Sequence, residues 1–291
     1  MRISVVIPTL NRAGPLQACL TALSEDFPPD AEVIVVSDGG DPQHFPDLGQ
    51  FKDQLNLTVI HAEHGGPASA RNHGLAEVKA PVVLFLDDDC LAEAGWVEAI
   101  AAAVQFEPPR AVGGKTLNGL PENPYATAAQ LILDLVERDQ QARDYPAFFF
   151  PSNNIAFPTQ ALRQLGGFDT SFRTSEDREL CRRWMQAGYE LTKAPGAVLR
   201  HAPDLNFARF WSTYSSYGEG AAHFHRDSEE GWGNTIAYHF RIPSLLAAEF
   251  RENPQLDRMQ ITLLIVAWEF ANLAGYIKGV FRTGRKGRAE P

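Results

Sequence analysis

The sequence predicts an α/β fold organised around a parallel sheet, and three features of the chain predict it. Strand and helix patterns alternate through the first half, the order that right-handed crossovers between parallel strands require. The stretch Val82–Leu86 is a short, unbroken apolar run, as expected of a strand covered on both faces. That run leads directly into Asp87-Asp88-Asp89. Acids so placed sit at the carboxyl end of a strand, where open α/β sheets bind their ligands.

The elements follow in order. Ile3–Pro8 reads as the first strand and Ala13–Ser24 as a helix. Glu32–Ser37 is a second strand closing on Asp38-Gly39-Gly40, and Leu57–His61 is a third. Pro67–Val78 is helical, Val82–Leu86 is the fourth strand, and Trp96–Phe106 carries an alanine-rich helix. Further on come a strand at Ala111–Leu117, a helix near Tyr125–Arg138, a short aromatic strand at Phe148–Phe150, a helix at Glu176–Ala187 and a strand at Gly196–Arg200. From Asn206 onward the pattern is helical and aromatic, ending in a long apolar helix at Met259–Phe281. The faces of Trp211, Tyr214 and Tyr217 could stack on an acceptor sugar, and their spacing equally suits core packing on a helix, the safer of the two readings. His223 and His225 fall on different helix faces and suggest no metal pair.

Composition narrows the function. The chain has 291 residues, 44% of them hydrophobic and 21% charged, enough core for one large or two small domains. Its net charge of −10 argues against a groove that tracks nucleic-acid phosphates. The three cysteines, Cys19, Cys90 and Cys181, are odd in number and lack metal-ligand spacing, so a reducing, cytoplasmic setting is expected. The sequence opens on a strand pattern without an apolar leader, and no signal peptide is expected. Within Met259–Phe281, Glu269 and Asn272 would burden a bilayer centre, a central acid costing about 3 kcal/mol on insertion scales. A true span is therefore not expected. Lys278, Arg282, Arg285, Lys286 and Arg288 against Glu290 leave two readings open. One is a packed or homodimer-forming helix with a solvated basic end. The other is a helix lying peripherally on the inner membrane face.

The acid cluster carries the chemistry. In a continuing strand, Asp87 and Asp89 point the same way, and two convergent carboxylates repel unless a cation fills the gap. Mg²⁺ or Mn²⁺ bearing the phosphates of a nucleotide is the economical occupant. Asp88 would face the other side; if the strand breaks early, Asp88 and Asp89 exchange roles. A solvated acidic turn is the plainer alternative.

Other loops at strand ends carry unusual residues. They are Pro8-Thr9-Leu10-Asn11-Arg12, Asp38, and Gly65-Gly66-Pro67-Ala68-Ser69-Ala70-Arg71-Asn72. Together with Asp87–Asp89, Ser152-Asn153-Asn154-Ile155-Ala156-Phe157, Gly166-Gly167-Phe168-Asp169 and Ser175-Glu176-Asp177, this ordered set resembles the family 2 inverting glycosyltransferases of the A-type fold. The resemblance covers at least Arg2 to His201. It implies a Rossmann-like nucleotide-binding sheet in a catalytic domain over 1–204, with a nucleotide-sugar half at about 1–110 and an acceptor half at 111–204. A helical extension would follow over 205–291.

The resemblance also implies roles. Pro8, Thr9, Asn11 and Arg12 wrap the nucleotide, with Arg12 a phosphate-competent cation; Asn11 could equally cap the following helix. Asp38 accepts from a uracil imide, which favours UDP, although the family more often has two acids where this chain has Ser37-Asp38. Gly66 lets backbone approach a ligand, while Arg71 and Asn72 serve the diphosphate or the acid cluster. Asp87 and Asp88 lie on the nucleotide side, Asn154 lies beneath the donor sugar, and Asp89 with His201 holds Mn²⁺ or Mg²⁺. Asp177, beside Glu176, is the general base, and it must be ionised at neutral pH. Capping of the helix by Ser175, with acids in its first turn, is the structural alternative.

The expected activity is inverting, metal-assisted transfer of a sugar from a nucleotide-sugar donor, UDP-linked, to a hydroxyl of a carbohydrate or glycolipid acceptor. Two rivals stand beside it. A sugar-nucleotidyltransferase would open with a Gly-rich basic loop after the first strand, where this chain has Pro-Thr-Leu-Asn-Arg. A non-catalytic nucleotide-sugar-binding module has no need of Asp177.

Overall fold

The computed structural model of the protein describes residues 2–41, 43, 45–142, 149–226 and 233–286. The chain divides into two compact units: Met1–Gly119 with Ala147–Ala202, and Leu120–Pro146 with Pro203–Pro291.

The first unit follows the anticipated alternation: β1 (Ile3–Thr9), α1 (Ala13–Ser24), β2 (Glu32–Asp38), β3 (Leu57–Ala62), α2 (Pro67–Glu77) and β4 (Val82–Leu86). Next come β5 (Cys90–Ala92), α3 (Trp96–Ala103), β6 (Gln105–Phe106) and β7 (Pro109–Asn118). After α4 (Pro124–Ala142), which belongs to the second unit, the chain returns as β8 (Asn154–Pro158), α5 (Thr159–Gln164), α6 (Glu176–Gln186) and β9 (Glu190–His201).

These strands form one nine-stranded sheet in the order β3-β2-β1-β4-β8-β7-β9-β5, with β6 paired to β7. Parallel pairing holds from β3 to β4. Beyond β4 the sheet is mixed, since β8 runs antiparallel to both β4 and β7 while β7 and β9 are parallel. The expectation of a mostly parallel sheet thus holds for the N-terminal strands only. The reason is the route: after β7 the chain passes through the second unit instead of making a βαβ crossover, so nothing imposes parallel re-entry.

Both sheet faces are buried, which explains the unbroken apolar strands. Val5, Ile7, Val35 and Leu84 pack with Leu16, Leu20, Trp96 and Ile100 of α1 and α3 on one face. Val6, Val36 and Phe85 pack with Leu75, Leu180 and Trp184 of α2 and α6 on the other. Each such side chain, fully buried, contributes about 1.5–3 kcal/mol. Phe149 and Phe150 are not a strand, and Phe148 lies outside the described residues.

The second unit is helical: α4, α7 (Phe207–Arg226), α8 (Gly233–Glu252) and α9 (Arg258–Lys286). Leu131, Leu135, Phe210, Tyr214, Leu246, Ile265 and Trp268 form its core. Tyr214 is buried as expected of a core aromatic, but Trp211 and Tyr217 are exposed. The axes of α7 and α9 approach closely because Gly218 and Gly275 face the opposite backbone. A Cβ on Gly218 would collide with the Asn272 carbonyl, and one on Gly275 with the Ser215 carbonyl.

Candidate functional site

Strand β4 stops at Leu86, and a turn closed by the Cys90 N–H on the Asp87 carbonyl (3.1 Å) follows. Strand alternation therefore does not govern the three acids, and the expected convergence of Asp87 with Asp89 is corrected. Asp87 accepts from Arg71 Nη2 at 2.7 Å. Asp88 and Asp89 instead share Arg12, each at 2.7 Å, and Asp88 also accepts from the Thr9 hydroxyl at 2.7 Å. Burial pushes Asp88 up to about 7, outweighing Arg12 and Thr9. Burial also penalises the Asp89 charge, but the hydrogen bond and charge of His201, together with Arg12, hold it well below the usual carboxylate range. One neighbour is poised to take a proton and the other is firmly an anion.

Local sequence explains how Arg12 arrives. Asn11 adopts φ +53°, a left-handed turn that Asn tolerates, and its Oδ1 accepts from the Asp41 N–H at 3.0 Å. Arg12, not Asn11, is the cap residue of α1, and no side chain caps that helix. Pro8 lies within β1, opposite Val36.

His201 reaches the cluster through β5, a three-residue strand too short to carry a periodic signal. Its antiparallel register sets Cys90 opposite His201, and the Ala202 N–H bonds the Asp89 carbonyl at 2.8 Å. His201 Nε2 then lies 3.4 Å from Asp89 Oδ1. Ligand atoms of Asp89, Cys90 and His201 fall within 4.8 Å of one another. With metal–ligand bonds near 2.1 Å, adjacent octahedral ligands sit about 3 Å apart, so the carboxylate–imidazole pair fits a divalent cation. Burial raises the thiol pKa of Cys90, the third member of this group, well above the ordinary value.

Asp38 binds the loop before α2, accepting from the N–H groups of Gly65 (2.8 Å) and Gly66 (3.0 Å), with His64 Nδ1 at 2.9 Å. Gly66 starts α2 at φ +87°, a conformation that glycine adopts freely. From α2, Arg71 is buried and bridges Asp87 to Glu176 Oε1 (2.8 Å), with its guanidinium 5.5 Å from the Phe168 ring centre. Its Nε finds no partner among the described residues. Asn72 spends both ends of its amide on the Phe168 backbone (2.8 and 2.9 Å). Asn154 is likewise engaged, accepting from Trp96 Nε1 (2.9 Å) and donating to Thr116 Oγ1 (3.2 Å).

The second acid centre opens α6. Ser175 occupies the cap position at φ +68° with no capping side-chain bond, so the capping alternative is not realised by its hydroxyl. A left-handed serine costs about 1–2 kcal/mol, and such strain clusters at functional sites. Glu176 is pushed up to about 7 by burial and by the Asp177 charge, against Arg71. Asp177 is raised by burial, although the backbone N–H groups of Arg178 and Ser152 bond it.

Sequence reading passed over Asn153. The turn from Pro151 to Asn154 (3.1 Å) places it beside Ser152, and the side chain is 6% exposed with an Oδ1 that has no partner among the described residues. An unpaired buried acceptor is rare enough to call for a ligand or water. Its only sequence signal is adjacency to Asn154.

The chain is 33% identical over 230 residues to the pre-mycofactocin glycosyltransferase of Mycobacterium tuberculosis, an alignment covering 76% of this chain and 47% of that protein. The chain spans about half the length of this relative. Its fold matches that of the mannosyltransferase PcManGT from Pyrobaculum calidifontis, in complex with GDP-Man and Mn²⁺, with a TM-score of 0.67 at 18% identity, covering 97% and 87% of the two chains. It also matches S. aureus TarS 1–349 in complex with UDP-GlcNAc, with a TM-score of 0.54 at 17% identity, covering 100% and 93%. The model of one family, "Glycosyl transferase family 2", matches residues 4–166, more than half of the sequence: the chain belongs to glycosyl transferase family 2.

Proposed function

We propose that the protein transfers a sugar from a nucleotide-sugar, UDP-linked, to a hydroxyl of a carbohydrate or glycolipid acceptor, with inversion at the anomeric carbon. The observation that carries this reading is the Arg71 bridge, which joins Asp87 of the acid turn to Glu176 beside Asp177. Family membership supports the reaction class, and the nucleotide-sugars held by the structural neighbours support the donor class.

Within this reading Arg12 and Arg71 offset the charge of the donor diphosphate, and Arg71 Nε is a donor still available to it. Mn²⁺ or Mg²⁺, held by Asp89 and His201, would neutralise the departing diphosphate when bound. The imidazole ligand favours Mn²⁺ of the two. Asp177 removes the acceptor proton as that oxygen bonds the anomeric carbon. The bond from that carbon to the diphosphate breaks, and its electron pair leaves with the nucleoside diphosphate. Asp38 acts through the loop it holds, and the one acceptor site left on its Oδ1 would take an imide N–H of the base.

Incubation with UDP-glucose, UDP-GlcNAc and GDP-mannose tests the reading. Release of a nucleoside diphosphate, lost with EDTA and restored by Mn²⁺, is expected. Pyrophosphate release would indicate nucleotidyl transfer, and binding without turnover a binding module.

Asn153 is assigned to a substrate hydroxyl. Asn153→Ala is expected to raise the donor or acceptor KM about tenfold while leaving thermal stability unchanged or higher, because it removes a buried unpaired acceptor worth about 1–3 kcal/mol. A lower melting temperature with unchanged KM would show the side chain to be structural.

A further inference from the structure

We propose that the outer face of α9 is a docking surface for an anionic lipid bilayer, on which the helix lies flat. Met259, Leu263, Phe270, Leu273, Ile277 and Phe281 are 75%, 63%, 61%, 56%, 48% and 73% exposed. With Val266, 46% exposed, between Leu263 and Phe270, steps of three and four residues put them on one helix face, and at 1.5 Å per residue the stripe runs for about 33 Å. Isolated exposed apolar residues need no explanation, whereas a continuous stripe does.

The stripe is not a misplaced core. The opposite face of α9 supplies Ile261, Leu264, Ile265 and Trp268 to the core of the helical unit, and Gly275 pins the helix against α7. That same packing argues against a span. Crossing a bilayer would carry α7 in as well, together with Glu219, His223, His225 and Arg226. An amphipathic helix with one apolar face and a polar rim belongs instead at the headgroup boundary.

Charge selects the occupant. In a chain of net charge −10, the end of this helix and the tail after it hold Lys278, Arg282, Arg285, Lys286 and Arg288 against Glu290. Lys278 and Arg282 meet Glu219 of α7, which leaves the segment cationic. A basic end on an apolar stripe matches anionic headgroups above acyl chains. A second copy of the chain fits less well. Parallel pairing would oppose the two basic ends.

The full chain should co-sediment with phosphatidylcholine vesicles containing about 30% phosphatidylglycerol at least tenfold more strongly than with phosphatidylcholine alone. The triple variant Leu263→Ser, Phe270→Ser, Ile277→Ser should lose about tenfold or more of that binding while its thermal midpoint and nucleoside diphosphate release in free solution stay unchanged. Equal binding to both vesicle types, undiminished binding of the triple variant, or a wild-type dimer in light scattering that the variant dissolves would each overturn the proposal. An inactive enzyme that still binds vesicles would count against the transfer reaction alone.

Discussion

Replacing Asp177 by Asn is expected to preserve nucleotide-sugar binding and lower the transfer rate by about 10²–10⁴-fold, the range for loss of a positioned general base. The change keeps shape and removes proton affinity. In the native site burial raises the Asp177 pKa, and a carboxylate that holds its proton more tightly is a stronger base once ionised. Glu176, pushed up to about 7, titrates with it as a coupled pair. The sign follows: Asp177 must be ionised to act, so protonation on the acid side removes activity. Activity should therefore rise with pH along an acid limb displaced above the ordinary carboxylate range. Full activity of Asp177→Asn, or a rate that is flat from pH 5 to 8, would remove Asp177 from the reaction.

Arg71→Met is expected to destabilise the protein by up to about 3–5 kcal/mol above neutral pH, the cost of stranding a buried charge whose partner is removed, and by less below it, where Glu176 takes up a proton. Glu176 is 7% exposed and would be left with Asp177 as its charged neighbour, whereas Asp87 is partly exposed and can rehydrate. Adding Glu176→Gln to Arg71→Met removes the stranded charge and should recover most of the loss. Arg71→Lys should not, because one ammonium cannot span two carboxylates as a planar fork does. Denaturant unfolding of the single and double variants measures the coupling. A loss below about 1 kcal/mol for Arg71→Met, within the range of exposed ion pairs, would show that the bridge contributes little.

The N-terminal half was legible because burial on both sheet faces leaves continuous apolar runs that end on turn residues; α1 and β4 match their expected bounds. The mixed half was less so. The pairing of β8 depends on a detour through a separate unit, and β5 has three residues. At the site, residue types were readable but partners were not. Asn72 meets the Phe168 backbone across 96 residues, and Trp96 meets Asn154 across 58. Both amides had been expected to face substrate. The acid turn was read as a strand continuation because nothing within Asp87-Asp88-Asp89 marks where β4 ends. Asn153 and Asn154 are alike in type, and only the turn tells them apart.

Because a single guanidinium serves Asp87 and Glu176, whatever engages it on the Asp87 side is felt at Glu176. An anion settling beside Asp87 competes for Arg71 and alters the proton affinity of Glu176. By reciprocity, ionisation of Glu176 alters affinity for that anion by the same factor. Donor occupancy and readiness to accept a proton thus become a single linked equilibrium, so an empty site and a loaded one need not ionise at the same pH.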